Sequence, residues 1–158
     1  MAAPRFVSCS RTYPVALAEA YERTITWPLD ELFDKRFGPI PPISGTDQDG
    51  VWGTVGQVRT IHTADGGSMQ ERLVVADPPN EFGYQITGVT GPMKPLVDHI
   101  DGTWAFEAVG TGCRITWSWT IHARSSAAAL ALPAFAKLWQ GYARRALDHL
   151  DELLLTPA

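Results

Sequence analysis

QVRTIHTADGGSMQERLVV, residues 57–75, decides the fold. Its two arms alternate in character around the turn residues ADGG, which is the pattern of an antiparallel β-hairpin. A three-residue loop, Ala64-Asp65-Gly66 with Gly66 left-handed, sets Ile61 opposite Met69, Arg59 opposite Glu71, Gln57 opposite Leu73 and Val55 opposite Val75. Opposed residues in an antiparallel pair share a face, and the apolar partners mark this face as the inner one. Arg59 and Glu71 then point inward with them. Burying such a pair costs desolvation that its own attraction often fails to repay, so stability alone does not explain it. Two readings stay open: the pair specifies register, or it overlooks a hydrated cavity.

Outward from this hairpin the period-two pattern continues, broken by DPPN at 77–80, GPMKP at 91–95 and VGTG at 109–112. Five strands are predicted near 54–62, 68–76, 81–89, 97–108 and 113–123, joined as hairpins. With VGTG as a four-residue loop, Trp104 faces Trp117, Phe106 faces Ile115 and Ile100 faces Ile121. Glu107 and Arg114 meet on the other side, so the aromatic side is inner and the charged side outer. Upstream, RFVSCSRT at 5–12 reads as an opening strand and VALAEAYERTI after Pro14 as a short helix. PLDELFDKRFG at 28–38 offers a second helix ending at Gly38, and one edge strand fits near Ile43. From Ser126 to Leu155 the chain reads as helix, regular from Pro133, with Phe135, Leu138, Trp139, Tyr142, Ala146, Leu150 and Leu153 on one apolar stripe.

The sequence has 158 residues, 45% of them hydrophobic, which suits one domain spanning 1–158 with a core that needs neither disulfide nor metal. A net charge of −4 speaks against a nucleic-acid partner. The longest apolar run, AAALALPAFA at 127–136, is too short for a membrane span, and the N-terminal residues lack a signal-peptide pattern, so a cytoplasmic protein is expected. Cys9 and Cys113 lack CxxC spacing and read as reduced thiols. His99 and His122 are placed opposite each other on the outer face near Asp101, too few ligands for a metal site. His62 also points outward, and His149 reads as solvated beside Asp148 and Asp151. Ser118 and His122 lie too far apart for a nucleophile and its base, and no cofactor-binding motif is present.

Three segments, GQVRTIHTADGG, ERLVVADPPNEFGYQITG and DGTWAFEAVGTGCRITWSWTIHAR, followed by the helix text WQGYARRALDHLDELL, resemble the polyketide cyclase/dehydrase branch of the SRPBCC, or START-like, superfamily, which includes the birch-pollen allergen fold. The resemblance implies an α+β helix-grip fold: a curved seven-stranded antiparallel sheet around a long C-terminal helix, two short helices after the first strand, and a deep pocket between sheet and helix. It also implies that inward Arg and Tyr residues, here Arg59 and Tyr84, orient a ligand carbonyl.

An apolar hollow with a few convergent polar groups is the usual form of a small-molecule site. The residues expected to line it are Arg59, Glu71, Tyr84, Trp104, Trp117 and Trp119 from the sheet, with Phe135, Leu138, Trp139 and Tyr142 from the helix. The first hypothesis is binding or carriage of a small hydrophobic ligand, of lipid, polyketide or aromatic type, with a polar or anionic group held by Arg59 and oriented by Glu71. The second is a polyketide-cyclase-type enzyme in which Arg59, Tyr84 and Glu71 act on a poly-β-ketone. A protein-interaction module with a collapsed pocket is the third. Without an inward His as general base, binding is favoured over catalysis. No cofactor is expected, and monomer and homodimer both remain open.

Overall fold

A computed structural model describes residues 3–156. In chain order the elements are β1 (Arg5–Tyr13), α1 (Leu17–Thr26), α2 (Leu29–Leu32), β2 (Ile43–Asp47), β3 (Val58–Thr63), β4 (Ser68–Asp77), β5 (Glu81–Thr87), β6 (Val97–Val109), β7 (Gly112–Ala123), α3 (Ser126–Ala129) and α4 (Leu132–Leu155). The strands form one seven-stranded sheet in the order β1-β7-β6-β5-β4-β3-β2, antiparallel throughout. Its one non-sequential neighbour pair joins the first strand, β1, to the last, β7.

The two deciding hairpins keep their expected registers. Arg59 pairs with Glu71 and Ile61 with Met69, while Thr63 N–H donates to Gly67 O and Gly66 takes φ +89°. That is a type I turn closed by a left-handed glycine. Trp104 pairs with Trp117 and Phe106 with Ile115, although Val109 and Gly112 also pair and shorten the loop to Gly110-Thr111. No described helix is long and apolar enough to cross a membrane.

Three local readings are corrected. β3 begins at Val58 instead of residue 54, because the Gln57 side chain accepts from Gly53 N–H and Thr54 N–H and donates to Val51 O, tying residues 51–57 into a compact loop. Val75 does not face inward opposite Val55. A bulge between Leu73 and Val75 shifts the register with β5, and both Val74 and Val75 turn outward. The second helix stops at Leu32, well before Gly38: Phe33 leaves the helical region at φ −110° and ψ 55°, and its buried ring stacks on Tyr142 at 5.6 Å.

α4 has 24 residues, and Pro133 sits in its first turn, where a missing N–H costs nothing. It buries Leu132, Phe135, Ala136, Trp139, Ala143, Ala146, Leu147, Leu150 and Leu154. Its main sheet contact is with β1, at one edge. Tyr13 Oη donates to Leu147 O at 2.7 Å, and Arg11 on β1 pairs with Asp148 and Asp151. The guanidinium of Arg23, on α1, donates to the terminal carbonyls of Leu153, Leu154 and Thr156, satisfying groups that the helix leaves open. Leu150 is completely buried at this contact-rich end. Leu150→Ala should lower unfolding stability by about 2–5 kcal/mol in urea denaturation, whereas a loss below about 1 kcal/mol would mean this end is loosely packed.

Candidate functional site

α4 lies mainly against β1 at one edge of the sheet, with α1 against β6 and β7 and α2 against β2, which leaves the inner faces of β3, β4 and β5 the least covered by helix. A cavity of about 300 Å³ occupies that space. All ten residues singled out from the sequence reach its wall: Arg59, Glu71, Tyr84, Trp104, Trp117 and Trp119 from the strands, Phe135, Leu138, Trp139 and Tyr142 from the helix. Others are not anticipated by the sequence. Ile61, Met69 and Ile86 extend the strand wall, Phe33 and Leu32 close it beneath α2, and Ile40, Met93 and Leu96 contribute from the connecting segments. Exposed Asp65, Thr90 and Pro92 mark where the lining reaches solvent. A second, more open hollow of about 180 Å³ lies outside between α2 and α4, with charged residues such as Lys35 and Arg145.

One corner of the cavity is polar. Arg59 and Glu71 are only 6% and 3% exposed, and Arg59 Nε donates to Glu71 Oε1 at 2.9 Å. The guanidinium also donates from Nη1 to Gln48 Oε1 at 3.3 Å and lies 4.1 Å from the centroid of the Trp52 ring, in cation–π contact. Strand parity gives no hint of Trp52, because its place depends on the loop that Gln57 ties. Burial pushes the Glu71 carboxyl up from the usual carboxylate range, and the adjacent Arg59 charge brings it only part of the way back. Arg59 is therefore held from three sides, while Oε2 of Glu71 accepts no hydrogen bond among the described residues.

Next to this pair stands Tyr84. Its hydroxyl oxygen accepts from Trp117 Nε1 at 2.8 Å and from Trp119 Nε1 at 2.9 Å. The ring reaches these indoles by lying across the neighbouring strand at Gly102, where a Cβ would collide with Tyr84 Cζ. Any larger residue there would lift the ring away. Gly102 thus shapes the candidate site in a way the sequence reading lacks, although an isolated glycine within a strand does signal close approach. The indoles are themselves packed: Trp104 stacks on Trp117 at 4.8 Å, and Trp139 meets Trp117 and Trp119 at 4.9 and 5.2 Å. Burial raises the Tyr84 and Tyr142 phenols above the ordinary tyrosine range, so both remain protonated at neutral pH.

The other polar residues lie away from this corner. His99 and His122 stack on the outer face at 3.9 Å with planes 12° apart, each ring hydrogen-bonded to a carboxylate, Asp98 and Asp101 respectively. One ligand-type atom each of His99, Asp101 and His122 lies within 4.8 Å of the other two. His62 bonds Asp47 on the adjoining strand. His149 is not simply solvated: half-buried, it bonds Leu32 O and approaches Asp34, fastening α2 to α4. Cys9 and Cys113 are free thiols.

Sheet, long helix and the apolar cavity between them together define a helix-grip protein of the Bet v 1-like kind. The chain belongs to the polyketide cyclase/dehydrase and lipid transport family, whose model matches residues 39–154, and thereby to the SRPBCC superfamily. Its fold is similar to that of Ara h 8.0201, at 19% identity and TM-score 0.72, covering 98% of this chain and 99% of that one. It is likewise similar to major latex-like protein 151 from Panax ginseng, at 13% identity and TM-score 0.72 over 98% and 100% of the two chains. A protein from Thermus thermophilus, TTHA0849, gives 16% identity and TM-score 0.68 over 96% and 97%. At these identities the likeness concerns the fold alone. No curated protein sequence matches the chain.

The polar corner makes an energetic prediction. Arg59→Ala leaves Glu71 buried without its partner and should cost about 3–5 kcal/mol, while the double change Arg59→Met with Glu71→Leu should cost far less or nothing. A double-mutant comparison by chemical denaturation checks this. Equal losses in the single and double variants would contradict the assignment of the pair as a desolvated ion pair.

Proposed function

We propose that this protein binds and carries a small, largely apolar molecule in the cavity between the sheet and α4. The observation that carries the reading is the cavity itself, about 300 Å³ with a wall mostly of Trp, Phe, Leu, Ile and Met side chains and a buried charged pair at one corner. That volume stands at the small end of ligand pockets, which suits a fused-ring aromatic or a short chain more than a long lipid. Membership in a family described by polyketide cyclisation and lipid transport supports the same reading. Arg59, Glu71 and Tyr84 supply its polar contacts, and Trp104, Trp117, Trp119, Phe135, Leu138, Trp139 and Tyr142 its apolar ones. The acidic net charge of −4 favours a small-molecule partner over nucleic acid, and the proposed setting is the cytoplasm.

A cyclase reading has one observation in its favour. Burial raises the Glu71 carboxyl above its usual range while Arg59 opposes the rise, and the Tyr84 hydroxyl stands nearby, so the corner brings together a cation, a carboxyl group and a phenol that could polarise a carbonyl. Conversion of a poly-β-ketone mimic would move the assignment from carrier to enzyme. Binding without product keeps it a carrier.

Binding is tested with N-phenyl-1-naphthylamine, a neutral dye whose emission rises in apolar surroundings. Wild-type protein should bind it with quenching of tryptophan emission, since four tryptophans line the wall. Met69→Trp, placed on the half-buried β4 wall, should fill part of the space and weaken binding by at least about tenfold, or about 1.4 kcal/mol. Affinity unchanged by Met69→Trp would show that the dye sits elsewhere.

A further inference from the structure

We infer that His99, His122 and Asp101, on the outer face of the sheet, form a zinc-binding site separate from the cavity.

Strand geometry brings the three side chains together. Ile100 and Ile121 are buried in the core, so their neighbours His99 and Asp101 on β6 and His122 on β7 project from the opposite face. His99 pairs directly with His122, and Asp101 stands diagonally across from it, opposite Thr120. The two rings stack at 3.9 Å, and His122 Nε2 lies 2.9 Å from Asp101 Oδ2. Among the described residues, no other three His, Cys, Asp or Glu side chains bring their ligand atoms within 4.8 Å of one another. In a tetrahedral zinc shell with bonds of about 2.0–2.1 Å, ligand atoms sit about 3.3 Å apart, so closing onto one ion needs shifts of about 1.5 Å or less. Half-buried imidazoles make such shifts by turning about χ2, which is a broad torsion.

The surrounding groups orient these ligands. A bulge between Val97 and His99 turns Asp98 outward as well, and its Oδ2 lies 2.7 Å from His99 Nδ1. That hydrogen bond holds the Asp98 carboxyl below the usual carboxylate range, so the group is ionised and only accepts. Nδ1 of His99 therefore carries the proton, and Nε2 of the neutral ring offers its lone pair, as in metal sites where a carboxylate fixes the histidine. Asp101 is held too: Gln85 on β5 donates from Nε2 to Asp101 Oδ1 at 3.4 Å. The nearby cation, Arg124, turns to the backbone and donates to Lys94 O and Val97 O. On binding, the ion replaces the proton between His122 Nε2 and Asp101 Oδ2, and that proton passes to solvent.

Residue types choose the ion. Imidazole nitrogen suits zinc and its transition-metal neighbours, whereas magnesium and calcium prefer oxygen ligands throughout. Three side chains suffice at an exposed position, because water fills the fourth place in the shell. His62 and His149 are not equivalent: each meets a single carboxylate, Asp47 and Asp34 respectively.

Calorimetric titration of zinc into tag-free protein at neutral pH should show one ion bound per chain, undisturbed by a large excess of Mg²⁺. His99→Ala, His122→Ala and Asp101→Asn should each weaken zinc binding at least about tenfold, and Asp98→Ala, which removes only the partner of His99, about tenfold. His62→Ala should bind as the wild type does. In the ring-proton NMR spectrum of the wild type, zinc should move the signals of His99 and His122 and leave those of His62 and His149 in place, a readout that needs no variant to fold. Absence of zinc binding by the wild type, affinity unchanged in His99→Ala and His122→Ala, or movement of the His62 or His149 signals instead would overturn the inference. Unchanged affinity in Asp98→Ala would overturn the orienting role given to that carboxylate.

Discussion

A single helix cannot cover a concave seven-stranded sheet, and the rest of the molecule follows from that mismatch. α4 resolves it by packing beside β1 at one edge, where tight contacts with Tyr13, Arg11 and Arg23 hold it. The middle strands are then left facing space that α1, α2 and the segment through Ile40 only partly enclose. Interiors close-pack wherever they can, and a void deprives its lining of dispersion contacts. An unfilled volume of this size in a chain so rich in large aromatics reflects the geometry of the fold, because Trp104, Trp117 and Trp139 already pack against one another.

The same vacancy accounts for the placing of charge. Arg59 and Glu71 would be poorly justified inside a solid apolar core, where hydrophobic replacements of similar size do as well or better. At the wall of a cavity the pair can be reached by a guest, and the molecule invests further contacts in holding it still. Trp52 covers the guanidinium, Gln48 accepts from it, and the Gln57 side chain ties the loop on which Trp52 sits. Tyr84 is held with equal economy by two indoles and a glycine notch. Polar groups held this firmly need little rearrangement on binding, which suits the corner to the proposed ligand-binding role.

Parity along strands is enough to find most of the wall. The hairpins around Gly66 and around Gly110 have registers set by turn chemistry and by unambiguous apolar partners, so the inward positions of Arg59, Glu71, Trp104 and Trp117 can be read directly. Parity fails where a bulge inserts a residue: alternation places Val75 inward and it lies outward, since nothing in LVVAD marks the irregularity. It is equally silent about contacts made across strands. That Gly102 accommodates the Tyr84 ring, or that Trp52 reaches Arg59, depends on register and loop path together. The lip formed by Leu32, Phe33 and Ile40 is illegible for another reason: α2 ends when the Phe33 ring is buried, a tertiary preference that outweighs the helical propensity of the residues after it.

The space between the sheet and α4 is unoccupied by the protein's own atoms and lined mainly by apolar groups. Crystals of the ligand-free protein under xenon pressure test it most directly, because xenon enters dry apolar voids and scatters strongly. A xenon peak is expected between the Trp119 and Trp139 rings and the Met69 and Ile86 side chains. Density showing those side chains in mutual contact, with no xenon among them, would contradict it.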